Sequence, residues 1–345
     1  MNEYLPELTT SGAGALGRFF PGNKEKLLYG FFENYHAENT RKKLYYDLEQ
    51  FGNFLKDHFP GLTLLEVDHD HIIAFKNYLD QHPDPHGRKE RLYTKESVNR
   101  KFSSLSSFYL YLGRRGLLKS NPLQFVKRHH CDPENRTGDL SDLEVKRLFQ
   151  QVDVQTLAGK MHLAMLLVFL NTGMRHSELR FLKKKNFFCL ESFWVLRFLT
   201  KGEKERTTPL DPKCRQALED YLVAREKETE ELKPMDYLFA PTRNRSAHSK
   251  AQEKGLKGPL ASSTIDEIIK KYVRMAGITR KLSPHSLRST AIGSLLENGV
   301  DLGEVSEWIG HSNVNTTKRY SKRVTTLEKS PGLRMNLFKE DSNNN

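Results

Sequence analysis

A polar segment near the middle of the chain separates two stretches that have different hydrophobic patterns. Residues 128–139 (RHHCDPENRTGD) contain proline and glycine and show no regular apolar spacing. Segments of this kind commonly join two separately packed domains. The 345 residues are enough for two domains that each bury their own core. We therefore predict a linker at 128–139, a first domain over 23–127 and a second over 140–325.

The first domain has the apolar spacing of helices throughout. In TRKKLYYDLEQFGNFL, large apolar residues recur at spacings of four, three and four, namely Leu44, Leu48, Phe51 and Leu55. Thr40 is the predicted N-cap of this helix. Two more helices are predicted in HIIAFKNYL and in ESVNRKFSSLSSFYLYLGRRG, the latter capped by Thr94 and ended by Gly113 or Gly116.

The second domain combines helices with a small β-sheet. Ser141 and Glu144 form the capping box of its first helix. Apolar pairs around residues 193–199 indicate strands, and KGEK at 201–204 indicates a hairpin turn between them. Most of the remaining sequence up to residue 320 is helical in pattern. The predicted fold class is mainly α with a small β-sheet, in which the second domain is α+β.

Charge indicates the kind of partner. Lys and Arg outnumber Asp and Glu by 55 to 43, with the signs interspersed along the chain. A positive globular surface favours a polyanionic partner. The longest apolar run, at 163–170, is far too short to span a membrane, and the N-terminus lacks the features of a signal peptide. We therefore predict a cytoplasmic protein without a membrane partner.

The cysteines argue against disulfides and against a thiolate metal site. Cys131, Cys189 and Cys214 are odd in number and contain no CxxC. His129 and His130 precede Cys131, but two adjacent imidazoles do not converge easily on one ion. We predict no bound metal.

Two motifs of the second domain contain candidate phosphate-binding residues. In SPHSLR, Ser283 and Pro284 indicate a helix start with His285 and Arg288 on one face, where unpaired N–H groups can hold a phosphate. About one HxxR is expected by chance in a chain of this composition. In NTGMRHSEL, Arg175 lies between two helices, and Glu178 can hold its guanidinium. The alternative is a surface ion pair worth less than about 1 kcal/mol.

The other two motifs contain a lysine and a tyrosine. Lys201 lies at a glycine turn between strands, where charged side chains are usually only solvated. His311 and Tyr320 are nine residues apart in WIGHSNVNTTKRY. On one continuous helix they would face opposite sides and lie about 13 Å apart along the axis. Gly310 breaks the helix, so that the chain can turn and bring both side chains to one site.

Together these motifs resemble the tyrosine recombinase (phage integrase) family, in which Arg, Lys, HxxR, His or Trp, and Tyr form one active site. The match runs in chain order through TGMRHSEL, TKGEKER, SPHSLR and WIGHSNVNTTKRY. The helical patterns of the first domain are similar to the family's core-binding, SAM-like domain. The resemblance spans roughly residues 24–325. It implies a two-domain, C-shaped clamp that closes around duplex DNA.

The resemblance implies a catalytic set of six residues: Arg175, Lys201, His285, Arg288, His311 and Tyr320. The tyrosine would attack a backbone phosphodiester, forming a 3′-phosphotyrosine and releasing a 5′-hydroxyl. Because the phosphotyrosyl ester retains the bond, no ATP, metal or other cofactor is expected.

Each remaining group of the set has an implied role. Arg175, Arg288 and His311 would receive the negative charge that develops on the non-bridging oxygens. Lys201 would protonate the leaving 5′-oxygen, and His285 would take or hold the tyrosine proton. Glu178 would support the site by positioning Arg175.

The first domain and the flanking segments suggest further contacts. Four polar residues of the third predicted helix are of types that contact phosphates and base edges, namely Lys95, Asn99, Arg100 and Lys101. A solvated helix face is the alternative for each. The basic loop 241–260 either adds phosphate contacts or is a plain insertion. The tail, 326–345, is similar to the family's C-terminal segment that docks on a neighbouring subunit.

Residues 1–22 are predicted to be a flexible arm. They are too few to fold as the arm-binding domain of lambda-type integrases. We expect instead the simpler Xer-like or Cre-like type, which acts as a tetramer on two paired sites of double-stranded DNA in the nucleoid. Accessory DNA-binding proteins are compatible with this type.

The implied function is site-specific recombination through a Holliday junction, which integrates, excises or resolves DNA at short target sites. A type IB topoisomerase-like nicking and closing enzyme shares nearly the same active site. A non-catalytic DNA-binding protein could also keep the fold. The core-binding motif favours recombination over the first alternative, and the intact six-residue set argues against the second.

Overall fold

A computed structural model describes residues 25–83, 92–131, 138–200, 204–228, 231–242 and 258–310, together with Val314 and Thr317. The chain divides into two compact units, Met1–Asp132 and Pro133–Asn345. The division falls inside the predicted linker 128–139. The arm 1–22 and the tail 326–345 lie outside the described residues, as does most of the loop 241–260.

The described part of the first unit is helical. Its helices are α1 (Glu25–Glu33), α2 (Glu38–His58), α3 (His69–Gln81) and α4 (Lys95–Arg114). The predicted apolar stripe of α2 is buried, and its residues join Phe75 of α3 and Phe108 of α4 in one core. The regular spacing of these apolar residues produces the core, because each helix turns one face inward.

The predicted ends of these helices are partly right. Thr94 caps α4 by accepting a hydrogen bond from the Ser97 amide, and Gly116 follows the helix at φ 71°. The prediction of Thr40 as N-cap of α2 is wrong, because the helix already begins at Glu38. The Glu38 carboxylate lies 2.7 Å from the Lys42 ammonium. An acidic residue in the first turn and an i, i+4 ion pair both favour this earlier start.

The second unit surrounds one apolar helix. Its helices are α5 (Asp142–Gln150), α6 (Leu157–Thr172), α7 (His176–Arg180), α8 (Pro212–Glu228), α9 (Ser262–Met275), α10 (Pro284–Glu297) and α11 (Leu302–Ile309). Helix α6 is apolar over most of its length and packs against α8 and α10. Its burial places the turn that follows it, at Gly173, inside the unit.

A three-stranded antiparallel sheet lies between α7 and α8 in the sequence. The strands are β1 (Phe187–Leu190), β2 (Phe193–Leu199) and β3 (Glu205–Pro209), in the order β1-β2-β3. Leu196 of β2 pairs with Phe187 on one side and Thr208 on the other. The sequence predicts the β2–β3 hairpin. It does not predict β1, whose four residues lack the alternation of a half-buried strand.

The beginning of the second unit is fastened to α10. Ser141 and Glu144 form the predicted capping box of α5. Just before it, the Leu140 amide donates a 2.8 Å hydrogen bond to the Thr290 hydroxyl of α10. The Arg280 guanidinium, close before α10, donates to the Asp139 carbonyl and to the Glu144 carboxylate. The last residues of the predicted linker are therefore held by the segment that leads into α10 and by α10 itself.

Among the described helices, none is both long enough and apolar enough to cross a membrane.

A buried ionic network connects α2 and α4 in the first unit. The Asp47 carboxylate, 2% exposed, accepts two hydrogen bonds from Arg100, at 2.7 and 3.1 Å. Lys101 and Ser104 donate to the same carboxylate at 3.2 and 2.7 Å. A buried carboxylate with several donors is well compensated, whereas its removal leaves buried positive charge without a counterion.

We expect Asp47→Ala to lower the free energy of unfolding of the first unit by about 3 kcal/mol, because Arg100, Lys101 and Ser104 lose their shared buried acceptor. Urea unfolding followed by far-UV circular dichroism measures this change. Asp57→Ala is the matched control, since Asp57 is exposed on the same helix and should change stability by less than about 0.5 kcal/mol. Equal unfolding midpoints for the two variants would contradict the structural role of Asp47.

Candidate active site

Arg175 lies in a tight turn at the end of α6. Gly173 ends that helix in the left-handed region, at φ 57°, which a glycine adopts without strain. Two residues later Arg175 is the N-cap of the short helix α7. The sequence thus folds locally as predicted, with the arginine between two helices.

Glu178 fixes both the backbone and the side chain of Arg175. One carboxylate oxygen accepts from the Arg175 amide at 2.6 Å, and the other accepts from its Nη1 at 2.8 Å. Glu178 is 8% exposed, whereas the Arg175 side chain is 33% exposed. The contact suggested by the sequence is present, and it leaves the guanidinium accessible to a ligand.

The first turn of α10 contains the HxxR motif. Ser283 is the N-cap and Pro284 occupies the first helical position, as predicted. His285 is exposed, whereas Arg288 is 1% exposed. The two residues thus differ sharply in solvent access although they share one turn.

Arg288 holds two other segments together. Its Nη1 donates to the Gly173 carbonyl at 2.5 Å, and its Nη2 donates to the Ile309 carbonyl at 2.8 Å. The first acceptor ends α6, two residues before Arg175. The second ends α11, which Gly310 closes in the left-handed region at φ 71°, as predicted. A single buried guanidinium therefore connects the Arg175 turn to the segment that leads into His311.

Lys201, His311 and Tyr320 lie outside the described residues, so their convergence stays a prediction. The described chain ends on either side of Lys201 at Thr200 and Lys204. The Thr200 amide donates to the Lys204 carbonyl at 2.8 Å, and its hydroxyl donates to the same carbonyl at 3.1 Å. These bonds close the hairpin whose tip contains Lys201.

The described site is positively charged. The pKa of His285 is lowered below its usual value. The largest cause is partial desolvation of the ring, although the residue as a whole is exposed, and the positive charges of Arg288 and Arg175 add to it. The His285 ring is therefore mostly neutral near pH 7. In its neutral form the imidazole can accept a proton.

A cavity of about 580 Å³ opens beside Arg175 and Glu178. Its lining includes Lys183, Lys185 and Thr200, the last described residue before the hairpin tip. Apolar side chains, among them Phe181 and Phe198, form much of the remaining lining.

The sequence motifs assign no role to Arg206, although it lies close to this site. Its Nη2 donates to the Thr172 carbonyl at 2.7 Å, and its guanidinium lies 4.8 Å from the centroid of the Trp308 ring. Burial, and then the charge of Arg288, lower the pKa of Arg206 to about 10, with Glu178 opposing and Arg175 adding to the effect. In the sequence, only its position five residues after Lys201, on the predicted second strand of the hairpin, indicates that Arg206 could lie near the site.

The four predicted DNA contacts of α4 differ in their surroundings. Lys95 is exposed at the start of the helix. The Asn99 side-chain amide donates to the His129 carbonyl and accepts from the His129 amide, at 2.9 Å each. Arg100 and Lys101 bind the Asp47 carboxylate. A DNA contact by any of the four stays a prediction.

The residues considered for metal binding have other partners. The His129 ring lies 3.0 Å from the Asp80 carboxylate, and the Cys131 thiol accepts a hydrogen bond from Asn99 at 3.2 Å. No group of three or more His, Cys, Asp or Glu side chains suited to a metal ion occurs within the ranges that the structure describes.

Comparisons with known proteins identify the family. The model of the phage integrase family matches residues 139–325, and that of the phage integrase N-terminal SAM-like domain matches residues 28–116. The tyrosine recombinase XerC of Myxococcus xanthus is 30% identical over 286 residues, covering 83% of this chain and 87% of that protein. The XerC of Oceanobacillus iheyensis is 31% identical over 278 residues, covering 80% and 82%. The chain belongs to the phage integrase family, the tyrosine recombinases, which are enzymes of site-specific DNA recombination.

Solved structures confirm the predicted fold. The Tn1549 transposon integrase in complex with circular intermediate DNA aligns with a TM-score of 0.65 and 16% identity, covering 90% of this chain and 98% of that one. The XerH site-specific recombinase bound to palindromic difH substrate aligns with a TM-score of 0.64 and 16% identity, covering 90% and 92%. The mainly helical, two-domain fold with its small sheet is thus the fold of known tyrosine recombinases.

We expect Glu178→Ala to lower the free energy of unfolding of the second unit by about 2 kcal/mol, because it leaves the Arg175 amide and guanidinium without their shared acceptor. Chemical denaturation measures the loss, and amide hydrogen exchange at Arg175 localises it. The matched control is Glu219→Ala, which removes a surface pair with Arg215 at 2.9 Å and should change stability by less than about 0.5 kcal/mol. Similar losses in both variants would rule out a special role for Glu178.

Proposed function

We propose that this chain cleaves and rejoins duplex DNA at short target sites, with Tyr320 as the nucleophile. The observation that carries the proposal is the Arg288 guanidinium, which joins the Arg175 turn to the end of α11. The Arg175 turn, Arg288 and the end of α11, which precedes His311 in the sequence, are thereby joined by direct contacts although they are distant in the sequence.

The first step transfers the phosphoryl group to the protein. The Tyr320 oxygen attacks phosphorus as His285 accepts its proton, and the bond between phosphorus and the 5′-oxygen breaks. Lys201 gives a proton to the departing 5′-oxygen, so that a 5′-hydroxyl leaves. The strand remains attached to the protein through a 3′-phosphotyrosyl ester, and no external energy source enters the step.

The second step reverses these bonds on another strand. A 5′-hydroxyl from the partner duplex attacks the same phosphorus and gives its proton to Lys201, and the bond to the tyrosine oxygen breaks as His285 returns the proton to that oxygen. One exchange of this kind between two duplexes produces a Holliday junction, and a second exchange resolves it. Because each exchange needs one active site per strand, we propose that four copies of the chain act on two paired sites.

The arginines supply the electrostatic part of the mechanism. The pentacoordinate phosphorus carries extra negative charge on its non-bridging oxygens. Arg175 is accessible to these oxygens, whereas Arg288 is buried, so that water and salt screen its charge poorly. Each properly placed donor in such a site contributes about 3 kcal/mol to lowering the barrier.

DNA binding by the first unit completes the proposal. Lys95 is exposed and can reach a phosphate without breaking a contact that the structure shows. Arg100 retains a 35% exposed side chain while it binds Asp47, and Asp47 can therefore orient it toward DNA. Asn99 and Lys101 are proposed to support this surface indirectly, through their contacts with the His129 backbone and the Asp47 carboxylate.

We expect Tyr320→Phe to abolish the covalent protein–DNA adduct on a nicked suicide duplex, because the phenyl ring has no oxygen with which to attack phosphorus. Denaturing gel electrophoresis measures the adduct. Tyr237→Phe, a matched change within the same unit, should leave adduct formation intact. Undiminished adduct in Tyr320→Phe would refute the proposed nucleophile. Supercoil relaxation by the wild-type chain without any trapped junction would favour the topoisomerase-like alternative.

We expect the cleavage rate at subsaturating DNA to fall on the acid side with a midpoint below pH 6.5. The pKa of His285 is lowered from 6.5, so the neutral, proton-accepting ring persists to a lower pH than usual, and protonation removes it only below that value. His285→Gln should remove this acid limb. His176→Gln is the control, since glutamine can retain the contact of His176 with Ser262, at 2.9 Å. A midpoint above pH 6.5, or an acid limb that survives His285→Gln, would contradict this role.

A further inference from the structure

Arg206 contacts the same two helix ends as Arg288, those of α6 and α11, but it does so from strand β3. Arg288 of α10 donates to the Gly173 and Ile309 carbonyls. Arg206 of β3 donates to the preceding carbonyl, that of Thr172, and its guanidinium lies over the ring of Trp308, which precedes Ile309. Two arginines thus bind consecutive residues in both segments.

The stacking of Arg206 is specific to its planar group. Its guanidinium carbon lies 4.8 Å from the Trp308 ring centroid and 5.4 Å from that of Phe198 on β2. A guanidinium can lie between aromatic faces while its edge donates to a carbonyl, whereas an ammonium acts only as a compact charge. Lysine at this position would keep the charge and lose the geometry.

Gly173 at the end of α6 packs closely against Trp308 and Ile309 of α11. A Cβ atom added at Gly173 would lie 2.3 Å from Ile309 Cδ1 and 3.3 Å from Trp308 Cζ3. The end of α6 therefore packs directly on α11. Any displacement of Trp308 would move the Gly173 turn, and with it the Arg175 side chain two residues later.

The position of Arg206 is electrostatically unfavourable because other guanidinium groups lie nearby. Its charge lies near those of Arg288 and Arg175, and Glu178 is the acidic group that opposes them. Its Nη1 is buried and has no hydrogen-bond partner within the described part of the chain. A partly buried cation whose buried Nη1 lacks a partner among the described residues, close to two other cations, requires a compensating reason. A function at the reacting phosphate supplies one.

We propose that Arg206 is a positioning residue for strand cleavage, which holds the Arg175 turn and the end of α11 in register through the Thr172 carbonyl and the Trp308 ring. The inference rests on the proposed function. The neighbouring hairpin contains Lys201, but the described contacts of Arg206 lead to the phosphate-binding segments. It should therefore affect charge stabilisation at the phosphate and not protonation of the leaving group.

Single-turnover cleavage of a suicide duplex tests the proposal, with the cleavage rate at saturating DNA and the Kd for DNA measured separately. Because misplacement of a catalytic group by about 1 Å lowers a rate by about 100-fold, we expect Arg206→Ala and Arg206→Lys each to lower the cleavage rate by about that factor. The Kd should change far less. A wild-type rate in Arg206→Lys, or a loss confined to the Kd, would overturn the proposal.

Arg197 provides the matched control. It lies on β2 in the same sheet, its guanidinium is 4.8 Å from the Phe188 ring centroid, and its side chain is 39% exposed. Arg197→Ala and Arg197→Lys should cleave at rates close to wild type. Losses equal to those of the Arg206 variants would indicate a general effect of removing an arginine from the sheet and would overturn the proposal.

A second substrate separates the two neighbouring roles. A duplex with sulfur in place of the bridging 5′-oxygen releases a thiolate, which needs no proton because a thiol has a much lower pKa than an alcohol. We expect the Arg206→Ala defect to persist on this substrate. Restoration of the rate would mean that Arg206 acts through the Lys201 hairpin, which would overturn the inference.

Trp308 offers a readout that does not depend on catalysis or on the fate of Arg206→Ala. The chain has two tryptophans, so Trp194→Phe leaves Trp308 as the sole indole fluorophore. In that background Arg206→Lys should shift the fluorescence emission of Trp308, and Arg197→Lys should not.

Substitutions of Trp308 test the stacking contact by cleavage activity. Trp308→Phe should retain more activity than Trp308→Leu, because phenylalanine keeps an aromatic face. Equal activities of the two variants would overturn the role of stacking. A wild-type chain without adduct would refute the proposed function itself, whereas an active wild type with unchanged Arg206 variants would refute only this inference.

Discussion

The second unit depends on one buried guanidinium whose two terminal nitrogens bind the ends of two helices. The Gly173 and Ile309 carbonyls are among the last acceptors of α6 and α11, which a helix cannot satisfy from within. Arg288 satisfies both, and in doing so it brings together segments 136 residues apart in the chain. A charge in the interior is tolerated here because carbonyl dipoles replace the water that it has lost. The interaction needed for packing is thus also the one that determines where the positive charge lies.

Accessibility is divided among the arginines around this joint. Arg175 is held by Glu178 and remains partly open to solvent, Arg206 is partly buried, and Arg288 is buried. The deeper charges cannot be neutralised cheaply by water or salt, so their field persists at the open one. A phosphate that reaches Arg175 would encounter the summed field of three guanidinium groups. This arrangement suits a reaction in which negative charge increases as the barrier is crossed.

Some parts of this architecture were accessible from the sequence for clear physical reasons. Helix-ending glycines, caps and capping boxes depend on local sequence, and so Gly310, Ser283 and Ser141 are predicted correctly. The start of α2 was misplaced because the Glu38–Lys42 pair extends the helix past the hydroxyl that looked like a cap. Strand β1 was missed because a short, half-exposed strand is formed by pairing with β2 and leaves no pattern of its own. Arg206 was missed because its partners, Thr172 and Trp308, are brought to it only by the tertiary fold.

The hydrogen bond from the Leu140 amide to the Thr290 hydroxyl links the start of the second unit directly to α10. It fastens the end of the linker to α10 only two residues beyond Arg288, and the Arg280 contacts with Asp139 and Glu144 reinforce that point. No loose turn separates the anchor from the helix that contains His285 and Arg288. A displacement of residues 139–140 would therefore act directly on the helix whose Arg288 binds the ends of α6 and α11.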